Sequence, residues 1–196
     1  EIALVALAIR LGKSINWVED RREHLSMFSE REGSHDMEIA VKKDGTILGV
    51  RTKAVVDFGI SGIFWTEAQP AQIIALSVPG PYNFQNYAYE TTGVVTNKSM
   101  TGAHRGFWRP LACMAIERMI DLSARAIGLD PIEMRIKNLI QPSQFPFRCA
   151  SGVPYDSGNY PEAFKKIINI SDYYNLRKWQ QEMRNQGKYI GIGIAA

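Results

Sequence analysis

The chain has 196 residues, 45% of them hydrophobic and 22% charged, close to the average for a globular domain, which sets aside collagen-like, low-complexity and disordered readings. A total of 23 basic against 20 acidic residues leaves a formal charge of +3, and the Lys and Arg residues are scattered rather than gathered on one stripe, so the charge does not point to nucleic acid. Cys113 and Cys149 fit neither a metal knuckle nor a disulfide framework, which favours a reducing, cytoplasmic compartment. No run reaches the ~20 apolar residues of a membrane span.

In chain order, Glu1 to Leu11 is apolar nearly all round, which predicts a helix packed on several sides and closed by Gly12. An opening of this kind, with Glu1 in place of Met, reads as the interior of a longer polypeptide. Ile15 to Val18 reads as a short strand. Met37 to Lys43 and Ile47 to Phe58 flank Asp44-Gly45 and predict an antiparallel hairpin, interrupted afterwards by Gly59 and Gly62. Pro79 to Tyr82 is a rigid turn, and Tyr87 to Val95 a strand rich in Tyr, Thr and Val.

The strongest helix signal follows. Pro110 stands where the first helical residue should, Leu111, Met114, Ala115, Met119, Leu122 and Ala126 recur at helical spacing, and Gly128 closes it; Asp121 and Arg125 are spaced for an i,i+4 pair. Asp130-Pro131 caps and opens a second helix to about Leu139. The Pro-, Ser- and Gly-rich stretch 141–160 predicts an irregular connection, with Asp156 and Ser157 capping a turn and the next helix. Pro161 and Asp172 open two further helices, and Tyr189 to Ala196 reads as a strand. The whole is an α+β fold, a mixed sheet with an antiparallel hairpin packed against helices, expected as a single domain over 1–196, or two small lobes divided near 141–160.

One loop carries chemistry: Thr96 to Pro110, TNKSMTGAHRGFWRP, running into the strongest helix. A helix N-terminus offers unpaired N–H groups and a positive dipole end, and glycines let a backbone approach closely, so the segment suits an anion. Arg105 and Arg109 add charge, and Thr96, Asn97, Ser99 and Thr101 add neutral donors. The plainer alternative is that both arginines pair with nearby acids and the glycines only shape a turn. The loop matches neither a Walker A nor a GxGxxG pattern.

The run GAHRGFWRP (102–110), IERMID (116–121) and GLDPIEMRIKN (128–138), together with NWVEDRRE (16–23), Gly80-Pro81-Tyr82 and YDSGNY (155–160), resembles the molybdenum hydroxylases: xanthine dehydrogenases, aldehyde oxidases and the large subunits of carbon-monoxide-dehydrogenase type. The resemblance spans nearly the whole chain. It implies an internal fragment of the molybdopterin-binding large subunit, in an enzyme that inserts water-derived oxygen into a C–H bond of an aldehyde or aromatic heterocycle. It implies molybdenum on molybdopterin, in prokaryotes the cytosine dinucleotide form, with iron–sulfur clusters and FAD on partner subunits. Arg105, with Gly106 beside it, would contact the cofactor, largely through backbone, and Phe107 would be the substrate platform; core packing is the plain alternative for Phe107.

The family's remaining kit, a glycine-rich FG stretch with a glutamine and a substrate-binding glutamate, and a later general-base glutamate, falls outside these residues, so no catalytic residue and no metal ligand is assigned here. Glu117 and Glu133 read instead as surface or ion-pairing helix residues. Gly106 stands where the copper-binding cysteine of true carbon monoxide dehydrogenases would be, which disfavours that reaction. Gln69 to Leu76 lacks the arginine of the purine oxidases, which disfavours xanthine, and Trp108, bulkier than the family's usual glycine, is expected to narrow the pocket or block it.

Other classes fare worse. His24, His35 and His104 have no zinc spacing, no G-x-S-x-G elbow is present, and Trp17, Trp65, Tyr82 and Trp179 are too dispersed for base stacking. Two rivals stay open: a non-catalytic lobe of the same ancestry that binds partner chains, and a general anion- or nucleic-acid-binding domain using Lys98, Arg105 and Arg109.

Overall fold

The computed structural model describes residues 2–29, 32–60, 68–102 and 104–196. Gly62 and Trp65 from the sequence reading, and Ala103 of the site loop, lie outside them. Helix α1 (Ile2–Leu11) forms as expected but contributes no buried residue; Ile2 is 89% and Ile9 78% exposed. Its helical character is local, whereas burial needs a neighbour, and none of the described elements covers it. The residues of Ile15 to Val18 are irregular rather than a strand. Helix α2 (Arg21–Met27) was not anticipated, although its signal is present: Asp20 Oδ1 accepts from the Arg22 and Glu23 amides while Glu23 Oε2 accepts from the Asp20 amide, a reciprocal cap.

Strands β1 (Phe28–Ser29), β2 (Gly33–Val41) and β3 (Ile47–Asp57) follow. β2 and β3 make the expected antiparallel hairpin, with a register shift at Ala40/Val41. Along β3, Val50, Thr52, Ala54 and Val56 are buried while Arg51, Lys53 and Val55 are exposed, the alternation of a sheet with one covered face. Helix α3 (Ala68–Ser77) was not anticipated; Pro70 falls in its first turn, where a missing N–H breaks no helical bond. The Pro79–Tyr82 turn closes with the Tyr82 amide donating to the Pro79 carbonyl. Strand β4 (Asn86–Val94) then pairs parallel to β3, giving the order β2-β3-β4. The sheet is therefore mixed.

Strand β5 (Met100–Thr101) pairs parallel with β1. Helix α4 (Arg109–Ile127) packs on the covered face, ending at Gly128, whose φ of 75° and N–H bonds to Ala124 and Arg125 carbonyls make a left-handed cap. Asp130 caps helix α5 (Pro131–Asn138) by accepting from the Ile132 amide at 2.8 Å. Within 141–160 the chain is mostly irregular, as expected, but β6 (Phe147–Arg148) and β7 (Pro154–Tyr155) form a small antiparallel pair. Helix α6 (Tyr160–Ile170) is capped by Asn159, not by Asp156 or Ser157. Helix α7 (Tyr173–Asn185) ends the regular structure. Tyr189 to Ala196 is not a strand; Ile192 and Ile194 instead pack against the core that β3, α4, α5, α6 and the start of α7 share. Among the described residues no helix is long and apolar enough to cross a membrane.

Candidate functional site: the loop that enters α4

The segment leading to α4 is anchored at its start. Asp57, at the end of β3, accepts from the Gly59 amide at 2.8 Å and from the Thr96 hydroxyl at 2.7 Å. The Thr101 hydroxyl donates to the Asp57 carbonyl, and Lys98 pairs with both Glu32 and Asp57. Burial pushes the Asp57 carboxyl up, but the bonds from Thr96, the Gly59 amide and Lys98 outweigh it and hold the group below its ordinary value. Gly59, at φ +65°, is required here: a Cβ would lie 2.0 Å from the Ser99 carbonyl oxygen. The Thr96 and Thr101 hydroxyls, which the sequence offered as donors to an anion, are thus bonded to Asp57, while Lys98 makes its ion pairs at the surface.

The loop then turns on two consecutive left-handed residues, Gly106 at φ 86° and Phe107 at φ 52°. The Phe107 amide donates to the His104 carbonyl at 2.7 Å and the Arg109 amide to the Gly106 carbonyl at 3.1 Å. Positive φ at Phe107 is uncommon for an aromatic residue and marks a backbone held by its surroundings. Arg105 and Gly106 are exposed and Phe107 is half-buried, its ring 6.4 Å from that of Trp108 in an edge-on arrangement. Trp108 is 1% exposed and belongs to the core. It points inward, so it does not narrow a pocket beside Phe107 as its bulk suggested.

The N-terminus of α4 also differs from expectation. Leu111 and Ala112 both donate to the Trp108 carbonyl, Arg109 donates to Gly106, and Pro110 has no N–H. The first-turn donors on which an anion site would draw are consumed by the tight turn itself, leaving only side chains and the helix dipole. Arg109 is exposed and lines a cavity of about 370 Å³ with Leu76, Cys113 and Tyr155. Burial, with the nearby Glu117 carboxylate, pushes the Cys113 thiol up, so it is not an activated nucleophile.

Farther along α4 lies a polar network that the sequence reading missed. Arg135 is fully buried and donates through Nε to Glu117 Oε2 at 2.8 Å, through one terminal nitrogen to Asp121 Oδ1 at 2.8 Å, and to the Pro131 and Glu117 carbonyls. Tyr82 donates to Glu117 Oε1 at 2.6 Å. Burial, reinforced by the Glu117 carboxylate, pushes the Tyr82 phenol far up, so it stays a donor. Glu117 is ion-paired as expected but buried, not on the surface, whereas Glu133 is exposed; Asp121 pairs with Arg135 rather than with Arg125. The available signal was the apolar face of α5, on which Arg135 and Ile136 fall three and four residues after Ile132, placing a cation where it needs an acid. Among the described residues no group of three or more His, Cys, Asp or Glu is placed to hold a metal ion.

Residues 1–139 match the molybdopterin cofactor-binding domain family. The chain is 38% identical over 204 residues to the carbon monoxide dehydrogenase large chain of Afipia carboxidovorans, covering 99% of this chain and 25% of that one. It is 33% identical over 202 residues to the nicotine 6-hydroxylase large subunit of Paenarthrobacter nicotinovorans, covering 100% and 24%. The crystal structure of quinoline 2-oxidoreductase from Pseudomonas putida 86 superposes with a TM-score of 0.82 at 28% identity, over 93% of this chain and 23% of that one. The α+β fold and the loop before α4 thus occur together in a chain that belongs to the molybdopterin cofactor-binding domain family and spans about a quarter of the length of these relatives.

Proposed function

We propose that this chain is a segment of the molybdopterin-binding large subunit of a molybdenum hydroxylase, in which Arg105 and Gly106 contact the cofactor and Phe107 is the flat surface against which the substrate rests. The observation that carries this reading is the exposed Arg105–Gly106 pair followed by Phe107, both Gly106 and Phe107 held left-handed where the loop enters α4. The residues fit the cofactor: an exposed guanidinium and an exposed glycine backbone suit an anionic pterin phosphate or an oxo group. When bound, the cofactor supplies the oxidation of a C–H bond with oxygen taken from water. Phe107 holds a planar substrate without competing for protons, and its edge-on contact with the buried Trp108 fixes the ring. The Asp57 cluster fixes the base of the loop.

The substrate is an aldehyde or an aromatic N-heterocycle. Nicotine 6-hydroxylase and quinoline 2-oxidoreductase among the relatives support the heterocycle, and Gly106 in place of a copper-binding cysteine argues against carbon monoxide. The cofactor is the cytosine dinucleotide form. Electrons pass to iron–sulfur clusters and FAD on partner subunits in the cytoplasm, and the 196 residues alone are inactive, one folding unit of a larger enzyme.

The test is steady-state oxidation of quinoline, nicotine and benzaldehyde by the complete molybdenum-containing assembly. At least one is oxidised, and Phe107→Ala raises its KM roughly 2- to 13-fold, the loss of about 0.5–1.5 kcal/mol of aromatic contact, with molybdenum content unchanged. An assembly that oxidises none of the three, or a Phe107→Ala enzyme with wild-type KM, contradicts the assignment.

A further inference from the structure

A groove of about 990 Å³ runs between β2 and the outward side of α4, lined by Met37, Leu111, Met114 and Met119 with His35 and Arg118, and by four charged residues of β2 and β3. Met114 is 62% exposed. Among the described residues β2 is hydrogen-bonded on one side only, to β3, along nine residues.

The phase of the hairpin fixes which groups face the open side. The Asp57 amide donates to the Glu32 carbonyl at 2.9 Å, and the next pairs are Gly33 with Val56 and Ser34 with Val55. Backbone groups in an antiparallel ladder alternate in direction. Those of Ser34, Asp36 and Glu38 therefore turn to β3, and those of Gly33, His35, Met37 and Ile39 turn outward. These odd-numbered residues stand opposite Val56, Ala54, Thr52 and Val50, the buried row of β3, so their side chains face α4. Open backbone donors and acceptors and the apolar groove thus lie along one line. His35 adds a second mark of a missing neighbour: neither ring nitrogen has a hydrogen-bond partner among the described residues, although both are shielded from solvent.

We infer that the open edge of β2 is the docking site of one extended strand from the rest of the large-subunit polypeptide, which adds to the sheet beside β2 and lays alternate apolar side chains into the groove. The occupant rests on the proposed function, because relatives of this chain carry about three times as much polypeptide again. A long unpaired edge is a feature that folded proteins cover, and backbone pairing with side chains in pockets is how an added strand binds. An acidic or amide side chain on that strand meets Arg118 and completes His35, whose burial pushes it toward the neutral form that both donates and accepts. A second copy of this chain fits poorly: two-fold antiparallel pairing of β2 about Met37 sets Asp36 opposite Glu38 on one face, like charge against like charge.

Residue-resolved hydrogen exchange by mass spectrometry on the complete large subunit in its assembly tests this, with molybdenum measured on the same sample. The Ser34, Asp36 and Glu38 amides, bonded to β3 in any case, are the internal standard. The Gly33, His35, Met37 and Ile39 amides exchange within about tenfold of that standard, and Met114→Glu speeds them roughly tenfold or more while the standard holds. Outward amides exchanging roughly a hundredfold or more faster than their neighbours in the wild-type assembly overturn the added strand. Protection that exists only in a dimer of this chain, and is lost on dilution, overturns the occupant. Protected outward amides in a sample without molybdenum uphold the strand and sink the proposed function instead.

Discussion

Arg135 is the residue on which the helical side of the fold turns. It is fully buried, and burial alone would lower its pKa, but the adjacent Glu117 carboxylate and the Asp121 bond keep the guanidinium charged. Removing one member of such a pair leaves the other charge buried without compensation, typically about 3–5 kcal/mol. Arg135→Met should therefore lower stability by about that amount in urea melts. Adding Glu117→Gln should recover part of the loss, because the orphaned carboxylate is then neutral; a double variant no more stable than Arg135→Met contradicts the coupling. Residue identity in the sequence was enough to propose an ion pair at Glu117, but not its partner. Arg125 is one turn from Asp121 along the helix, and local spacing favours it; the actual partner, Arg135, arrives only when α5 folds back on α4.

At the scale of elements, the hairpin turn is clipped to α5 rather than left free. Asn138, buried at the end of α5, donates to the Gly45 and Met134 carbonyls and accepts from the Ile47 amide at 2.9 Å. Asp44 beside it pairs with Lys137 at 3.0 Å. The Lys137 bond, helped by the Thr46 amide, pulls the Asp44 pKa from 3.8 down to about 2. A carboxyl depressed in the folded state contributes stability above its ordinary value, and that contribution is lost as pH falls through the folded value. The difference in Tm between wild type and Asp44→Asn should thus be present at about pH 5, shrink as pH falls below about 4, and be small by about pH 2. A constant difference across that range would show that the pair does not form. The turn itself was legible from Asp44-Gly45, a local signal, as were the Asp130-Pro131 cap and the Gly128 stop. The α4 entry was legible in its residues but not in its donors. Whether first-turn N–H groups are open depends on where the Gly106 and Trp108 carbonyls point, which spacing does not encode.

For the whole molecule, the mixed sheet backed by helices follows from the alternation along β3 and the periodicity of α4, both repeated over many residues. What escaped the sequence is set by neighbours. Ile2 to Leu11 has the composition of a buried helix, yet none of its residues is buried; Tyr189 to Ala196 alternates like a strand, yet packs Ile192 and Ile194 on the core without joining a sheet. Arg105, Gly106 and Phe107 form the turn that we propose holds the cofactor. That role is tested most directly by measuring molybdenum in the complete purified assembly, wild type beside Gly106→Val, a β-branched residue where φ is 86°. Molybdenum is expected in the wild type and its loss in the variant, with hydrogen exchange along β3 unchanged. Equal molybdenum in both proteins, or none in the wild type, would contradict it.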